Sequence, residues 1–389
     1  MEGIKDFELD KWIREQGPKC KVHFHASSAK VVSTNELRQL AATPGPDVFD
    51  PDLKLDYGPF EGSLRLRTRI AEIHSTPETS LTAENVIITP GSIMANFLVL
   101  QTLCKKGDHV ICQYPTFGPL YLLPKHHGVD VSMWAMEEEK NWLPDIDKLG
   151  DLIRPNTKAI ILNNPNNPVG KVLPREFLKQ VGEIAKKSNI AVFCDEVFSP
   201  LFHSGSTPPP FVSLGYENGV STGSMSKAYG LPGVRVGWVV SKNTALLHQI
   251  VVARDYTTIS VSQLDDSVAS FALSTDVLPN LMKRNLGFCK ESIGILDEFV
   301  RRNKRCRWTK PEGGGLGFIQ ILEENGQPVD DFTFSKRVVE EAALCVVPCG
   351  YCFRDEGTDD FMGYLRFPLG DPDRLKAGLP LLEKILVSG

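Results

Sequence analysis

From about residue 85 the chain alternates two textures. "NVIITP", "HVICQYP", "AIILNNP" and "IAVFCDEV" are short, nearly continuous apolar runs. "SIMANFLVLQTLC" and "REFLKQVGEIAKKSN" instead space their apolar residues three and four apart, as a helix does. Strands apolar on both faces and separated by helices predict a parallel sheet covered on both sides. Ligands of such sheets gather at the carboxyl ends of the strands. The turn-rich segments "PGS", "YPTF", "NNPNNPVG", "DEVF" and "STGSMSK" each fall at the end of a run.

After about residue 275 the pattern changes. "VLPNLMKRNLGFCKESIGILDEFVRRN" reads as one long helix, and "GGGLGFIQI", "CVVPCG" and "YLRFP" as short strands of an α+β lobe. We expect an N-terminal arm joining part of a small domain (1–45), a large domain (46–275) and a C-terminal small domain (276–389).

Composition narrows the function. With 389 residues, 42% of them hydrophobic and 23% charged, the chain is ordinary globular protein with ample core. A formal charge of -5 without a basic block argues against nucleic acid as the main partner. The apolar stretch "FLVLQTLC" is too short for a membrane span, and the charged N-terminus lacks a signal-peptide pattern. Nine scattered cysteines include one CxxC, Cys349–Cys352, without a second pair or nearby histidines. No metal site is expected; the thiols read as reduced and buried in a cytoplasmic protein.

Within "STGSMSKAYGLPGVRVGW", Lys227 sits among small and apolar residues. An isolated lysine is usually solvated surface. Desolvated, its amine loses its proton more easily and can form a Schiff base. Ser224, Ser226 and Arg235 offer hydroxyls and a planar cation, and "PGSIMA" offers backbone N–H groups at a helix start. Together these make a phosphate site beside an amine. Asp195 ends a buried strand, where it caps the next element or meets a cation. "NNPNNPVG" is a tight turn that can also present an amide to a ligand. Tyr114 and Phe117 are core or a stacking surface, and Arg366, inside an apolar strand, needs an anionic partner.

Lysine, phosphate cradle, acid, aromatic plate and carboxylate-binding arginine all serve one cofactor, pyridoxal 5′-phosphate. In "SxSKxxGxxGxRxGW", preceded by "NNPNNPVG" and "DE", the chain resembles the fold-type I pyridoxal-phosphate enzymes of the class I/II aminotransferase family. The resemblance runs from "YGPFEGSLRLRTRIAE" to "YLRFP" in the family's order. It implies the aspartate aminotransferase-like α/β fold, with a mainly parallel seven-stranded sheet between helices and a smaller α+β domain. Lys227 is then the covalent anchor and proton shuttle. Asp195 pairs with the ring nitrogen, Asn167 donates to the phenolic oxygen, and Phe117 stacks on the ring, with Phe198 beside it. Ser224, Ser226, Arg235 and the backbone of Gly91, Ser92 and Ile93 hold the phosphate. Arg366 takes the substrate α-carboxylate. Tyr57 reaches the neighbouring subunit's phosphate, which implies a homodimer with shared sites; the substrate implied is an amino acid, a small molecule.

Two departures stand out. Many aminotransferases read DExY where this chain has "DEVF", so Phe198 replaces a tyrosine that donates to the phenolic oxygen. The arm "KVHFHASSAKVVSTNELRQL" lacks the usual GxP and places His23, His25, Ser27 and Ser28 where the family closes over substrate. His25 and Ser27 are candidate substrate contacts, with ordinary structural residues as the alternative. Both departures resemble a specialised branch that includes capreomycidine synthase. Because the generic family pattern is complete, aminotransferase is still the leading expectation, with a β-eliminating lyase, cyclase or oxidase of an arginine-like amino acid close behind it. A non-catalytic sensor is disfavoured, because the roughly fifty residues before the core hold no helix-turn-helix or basic patch.

Overall fold

A computed structural model describes residues 5–43, 45, 47–204, 207–355 and 358–387. The chain opens with a helix over Glu8–Gln16, with Glu8 and Asp10 in its first turn and Arg14 in its last, matching the helix dipole. The two-residue strand β1 (Val22–His23) follows.

The large sheet is built from β2 (Val86–Thr89), β3 (His109–Tyr114), β4 (Asp130–Glu137), β5 (Leu143–Pro144), β6 (Thr157–Asn163), β7 (Ala191–Asp195), β8 (Gly219–Ser224) and β9 (Gly237–Ser241). Its order is β2-β9-β8-β7-β6-β3-β4-β5. The β4–β3–β6–β7–β8 pairings are parallel, while β9 runs antiparallel to both β8 and β2. Seven strands were expected; the eighth, β5, is a two-residue edge strand antiparallel to β4. Its turn passes through Asn141 and Trp142, both at φ 54°, a conformation that "EEEKNW" does not advertise.

Alternate residues of each strand feed opposite faces. Val110, Cys112, Ile161, Phe193 and Val220 join one core with Leu98 and Val99 of the apolar helix Ser92–Leu103. Ile111, Ile160, Leu162, Val192 and Cys194 join another with Leu178 and Val181 of the amphipathic helix Arg175–Lys187. Both faces are covered, as continuous apolar strands require.

A second sheet contains β10 (Cys306–Trp308), β11 (Leu316–Ile321), β13 (Val347–Pro348) and β14 (Tyr364–Pro368), all antiparallel, in the order β10-β11-β14-β13. The long helix predicted after residue 275 spans Leu278–Arg302. β12 (Leu344–Cys345) pairs with β1, binding the N-terminal arm to this part of the chain. Trp12 adds a second tie, donating its indole N–H to the Val346 carbonyl at 2.7 Å. Cys20 is half-buried, and the other eight cysteines are buried free thiols.

Candidate active site

The carboxyl end of β7 delivers Asp195 to a buried position. Its Oδ2 accepts from Asn96 at 2.8 Å and its Oδ1 from the Val197 N–H at 3.1 Å. Asn96 is in turn fixed by the Thr222 hydroxyl at 2.7 Å. Burial raises the Asp195 pKa to about 6, against the bonds from Asn96 and Val197 and the charge of Lys227. Among the described residues none makes an ion pair with this carboxylate, so its charge is held only by hydrogen bonds.

Three residues beyond β8, the Lys227 amine donates to Ser27 Oγ at 2.8 Å. Desolvation, then the charge of Arg366, lowers its pKa to about 8. Near neutral pH a useful fraction is neutral amine, the form that attacks carbonyls.

Beside the amine lies an anion cradle. Gly91, at φ +82°, caps the helix Ser92–Leu103 and opens its free N–H groups. A Cβ on Gly91 would strike the Arg235 guanidinium, and one on Gly237 would meet the Gly91 and Ser92 backbone. Arg235 Nη1 is held by the Pro232 carbonyl at 2.8 Å and Ser226 Oγ at 3.3 Å. A cation, a hydroxyl and a helix N-terminus thus converge where only glycine leaves room.

Opposite, β14 places Arg366 at 2% exposure. Nη2 donates to the His25 carbonyl at 2.9 Å and Nη1 to Asn167 Oδ1 at 3.2 Å, while Nε has no partner among the described residues. No carboxylate pairs with it among the described residues. The Asn167 N–H donates to Asn163 Oδ1 at 2.7 Å. Burial, reinforced by His23 and the Arg366 charge, lowers the His25 pKa to about 4, so this ring is neutral at physiological pH.

One cavity of about 430 Å³ collects Lys227, Asp195, Asn167, Arg366, Arg235, Ser226, Ser92, Ile93, Phe117, Phe198, His25 and Ser27. Gly91 and Ser224 stand just behind its wall, with the Ser224 hydroxyl engaged by Ser226 and the Val236 carbonyl. Tyr57 is 75% exposed and lies outside the cavity. Sequence reading missed Asn96 and Asn163, whose side chain also donates to the Asp195 carbonyl at 3.0 Å. It also missed Leu9, Asp10 and Ile13, which roof the cavity from the first helix. A lone asparagine inside the apolar "SIMANFLVL" was the available signal for Asn96. The i, i+4 pair Leu9/Ile13 was the signal for the roof.

Residues 36–372 match the family profile "Aminotransferase class I and II". The chain belongs to this family. A PLP-dependent aminotransferase from Streptococcus suis superposes with a TM-score of 0.89 at 31% identity, covering 100% of this chain and 99% of that one. The PLP-dependent cyclase OrfR follows with a TM-score of 0.86 at 26% identity, covering 100% and 98%. Capreomycidine synthase of Streptomyces vinaceus is 31% identical over 269 residues, 68% of this chain and 67% of that enzyme. Bovine tyrosine aminotransferase is 31% identical over 195 residues, half of this chain and 44% of that enzyme, so this likeness spans less than half of its length.

The cofactor of this aminotransferase-family protein is pyridoxal 5′-phosphate, and the residues present fit it. The glycine-lined cradle suits a phosphate, the unpaired Asp195 suits a protonated ring nitrogen, and the Lys227 amine suits an aldehyde. Among the described residues no helix is long and apolar enough to cross a membrane.

Proposed function

We propose that the protein is an aminotransferase that converts an L-amino acid into its 2-oxo acid. The supporting observation is that Lys227, Asp195 and Arg366, which pairs with no carboxylate among the described residues, share one cavity. The cofactor supplies a covalent anchor for the substrate amine and an electron sink for the α-carbon. Ser92, Ser226 and Arg235 hold its phosphate, and the Ile93 and Gly91 backbone completes the cradle, with Ser224 bracing Ser226. Asp195 keeps the ring nitrogen protonated, and Asn96 and the Val197 N–H hold that carboxylate in place. Asn167 donates to the phenolic oxygen while its Oδ1 orients Arg366. Phe117 and Phe198 border the ring. Arg366 binds the α-carboxylate, which fixes the α-carbon beside the Lys227 amine. Lys227 then takes the proton from that carbon and returns it. His25, uncharged, contacts the substrate by hydrogen bonding rather than by charge.

The likeness to capreomycidine synthase and to the cyclase OrfR favours a second reading, in which removal of the α-proton by Lys227 would lead instead to elimination, cyclisation or oxidation by dioxygen. Phe198 supports it, because a phenyl ring cannot donate to the phenolic oxygen as a tyrosine would. An arginine-like substrate belongs to this reading. Product analysis separates the two. Candidate amino acids, including arginine, are incubated with the holoenzyme, and 2-oxo acid, ammonia and oxygen uptake are measured. Stoichiometric 2-oxo acid with the amino group retained on the cofactor supports transfer; ammonia release or oxygen uptake without it overturns transfer.

The enzyme works as a cytoplasmic homodimer with shared sites. Phe49, Leu55, Tyr57, Phe60 and Leu64 are exposed apolar residues within one short segment. That segment borders a second cavity, of about 490 Å³, shared with Val261 and Phe271. Such a patch suits an interface, and from it Tyr57 reaches the partner's phosphate.

A further inference from the structure

The arm from His25 to Lys30 is threaded through a slot that three distant glycines keep open. A Cβ on Gly315 would collide with the Ser27 carbonyl, one on Gly370 with the Ser28 carbonyl, and one on Gly230 would stand 2.8 Å from the Lys30 carbonyl. Main-chain bonds then fix the thread. The Ala29 N–H donates to the Lys227 carbonyl at 2.9 Å, and the Lys30 N–H to the Gly370 carbonyl at 2.9 Å. Arg284 holds the Lys30 carbonyl at 2.8 Å, and Arg366 holds that of His25. The arm is therefore tied to Lys227 by the main chain of Ala29 and, two residues earlier, by the Ser27 hydroxyl on Nζ at 2.8 Å.

We propose that Ser27 is a positioning residue for Lys227, its hydroxyl holding the ε-amine in place whenever that amine is not committed to the cofactor. No carboxylate among the described residues does this. The charged and titratable groups around the amine are Asp195 at the end of β7, Arg235 in the phosphate cradle, Arg366 on β14, His25 on the arm and Asp10 on the first helix. Asp195 is engaged by Asn96 and Val197, and the two arginines repel the ammonium. The hydroxyl accepts from the ammonium and so favours its charged form. A serine here sets both where the amine rests and the pH at which it becomes free to move a proton. The inference rests on Lys227 being the reactive amine.

The test reads the amine directly in the full-length, cofactor-free chain. Trace acetylation of Lys227 by acetic anhydride is followed across pH by peptide mass spectrometry. The parent midpoint is expected near 8. Ser27→Ala and the near-isosteric Ser27→Cys, whose thiol accepts weakly, are expected to titrate about half to one pH unit lower. Ser27→Thr, which keeps the hydroxyl, restores the parent value. The same midpoint in folded Ala and Cys variants as in the parent overturns the proposal, as does a Thr variant that shifts with them. No turnover is needed, so this outcome is independent of whether the reaction proves to be amino transfer.

Discussion

Arg366→Met separates binding from folding. The guanidinium is 2% exposed and, among the described residues, bonds only to a backbone carbonyl and an amide oxygen and leaves Nε unpaired. A buried cation without a counter-ion costs the fold stability and prepares the cavity for an anion. Removing one partner of a buried, charge-assisted pair costs about 2–5 kcal/mol. Taking about 3 kcal/mol for the lost carboxylate contact, kcat/KM falls about 150-fold. Methionine fills similar volume without charge, so stability stays within about 1 kcal/mol of the parent or rises. Steady-state kinetics with the preferred amino acid and with the corresponding amine lacking the carboxylate, together with thermal unfolding, give both numbers. The amine is expected to react equally slowly with the two proteins. A loss below about tenfold, an equal fractional loss on the amine, or destabilisation beyond about 2 kcal/mol would rule out this role for Arg366.

Three further outcomes are expected. Lys227→Ala lowers turnover about a thousandfold or more while the protein still binds the cofactor without covalent attachment, as borohydride reduction followed by mass analysis shows. Glu196 is buried and its pKa is raised, chiefly by desolvation, from 4.5 to about 7. The folded chain keeps a proton that the unfolded chain has released, so this stability is full below pH 4.5 and is lost as pH rises through 7. Glu196→Gln flattens that window by up to about 3 kcal/mol in denaturant melts at stepped pH, and an unchanged profile contradicts the assignment. Tyr57→Phe weakens cofactor retention about tenfold while light scattering still reports a dimer; a monomeric parent protein would defeat the shared-site proposal.

The architecture was legible because the strands are apolar on both faces, a pattern that leaves few alternatives to a covered parallel sheet. "SMSK" and "VRVGW" exposed the phosphate cradle because its chemistry is local: Ser226, Lys227 and Arg235 are near in sequence and act together. Asn96 escaped because its partner, Asp195, lies 99 residues away. The roof escaped for a related reason: Leu9, Asp10 and Ile13 look like any amphipathic helix until β1 and β12 pair. β5 escaped because two residues of edge strand carry no periodicity.

The pairing of β1 with β12 also sets an order of events during synthesis. Trp12 waits for Val346, 334 residues downstream, before its indole is satisfied. The slot that receives Ser27 is not built until Gly315 and Gly370 have been translated. Until those residues exist, the arm lacks the Val346 and Gly370 carbonyls that help hold it beside Lys227.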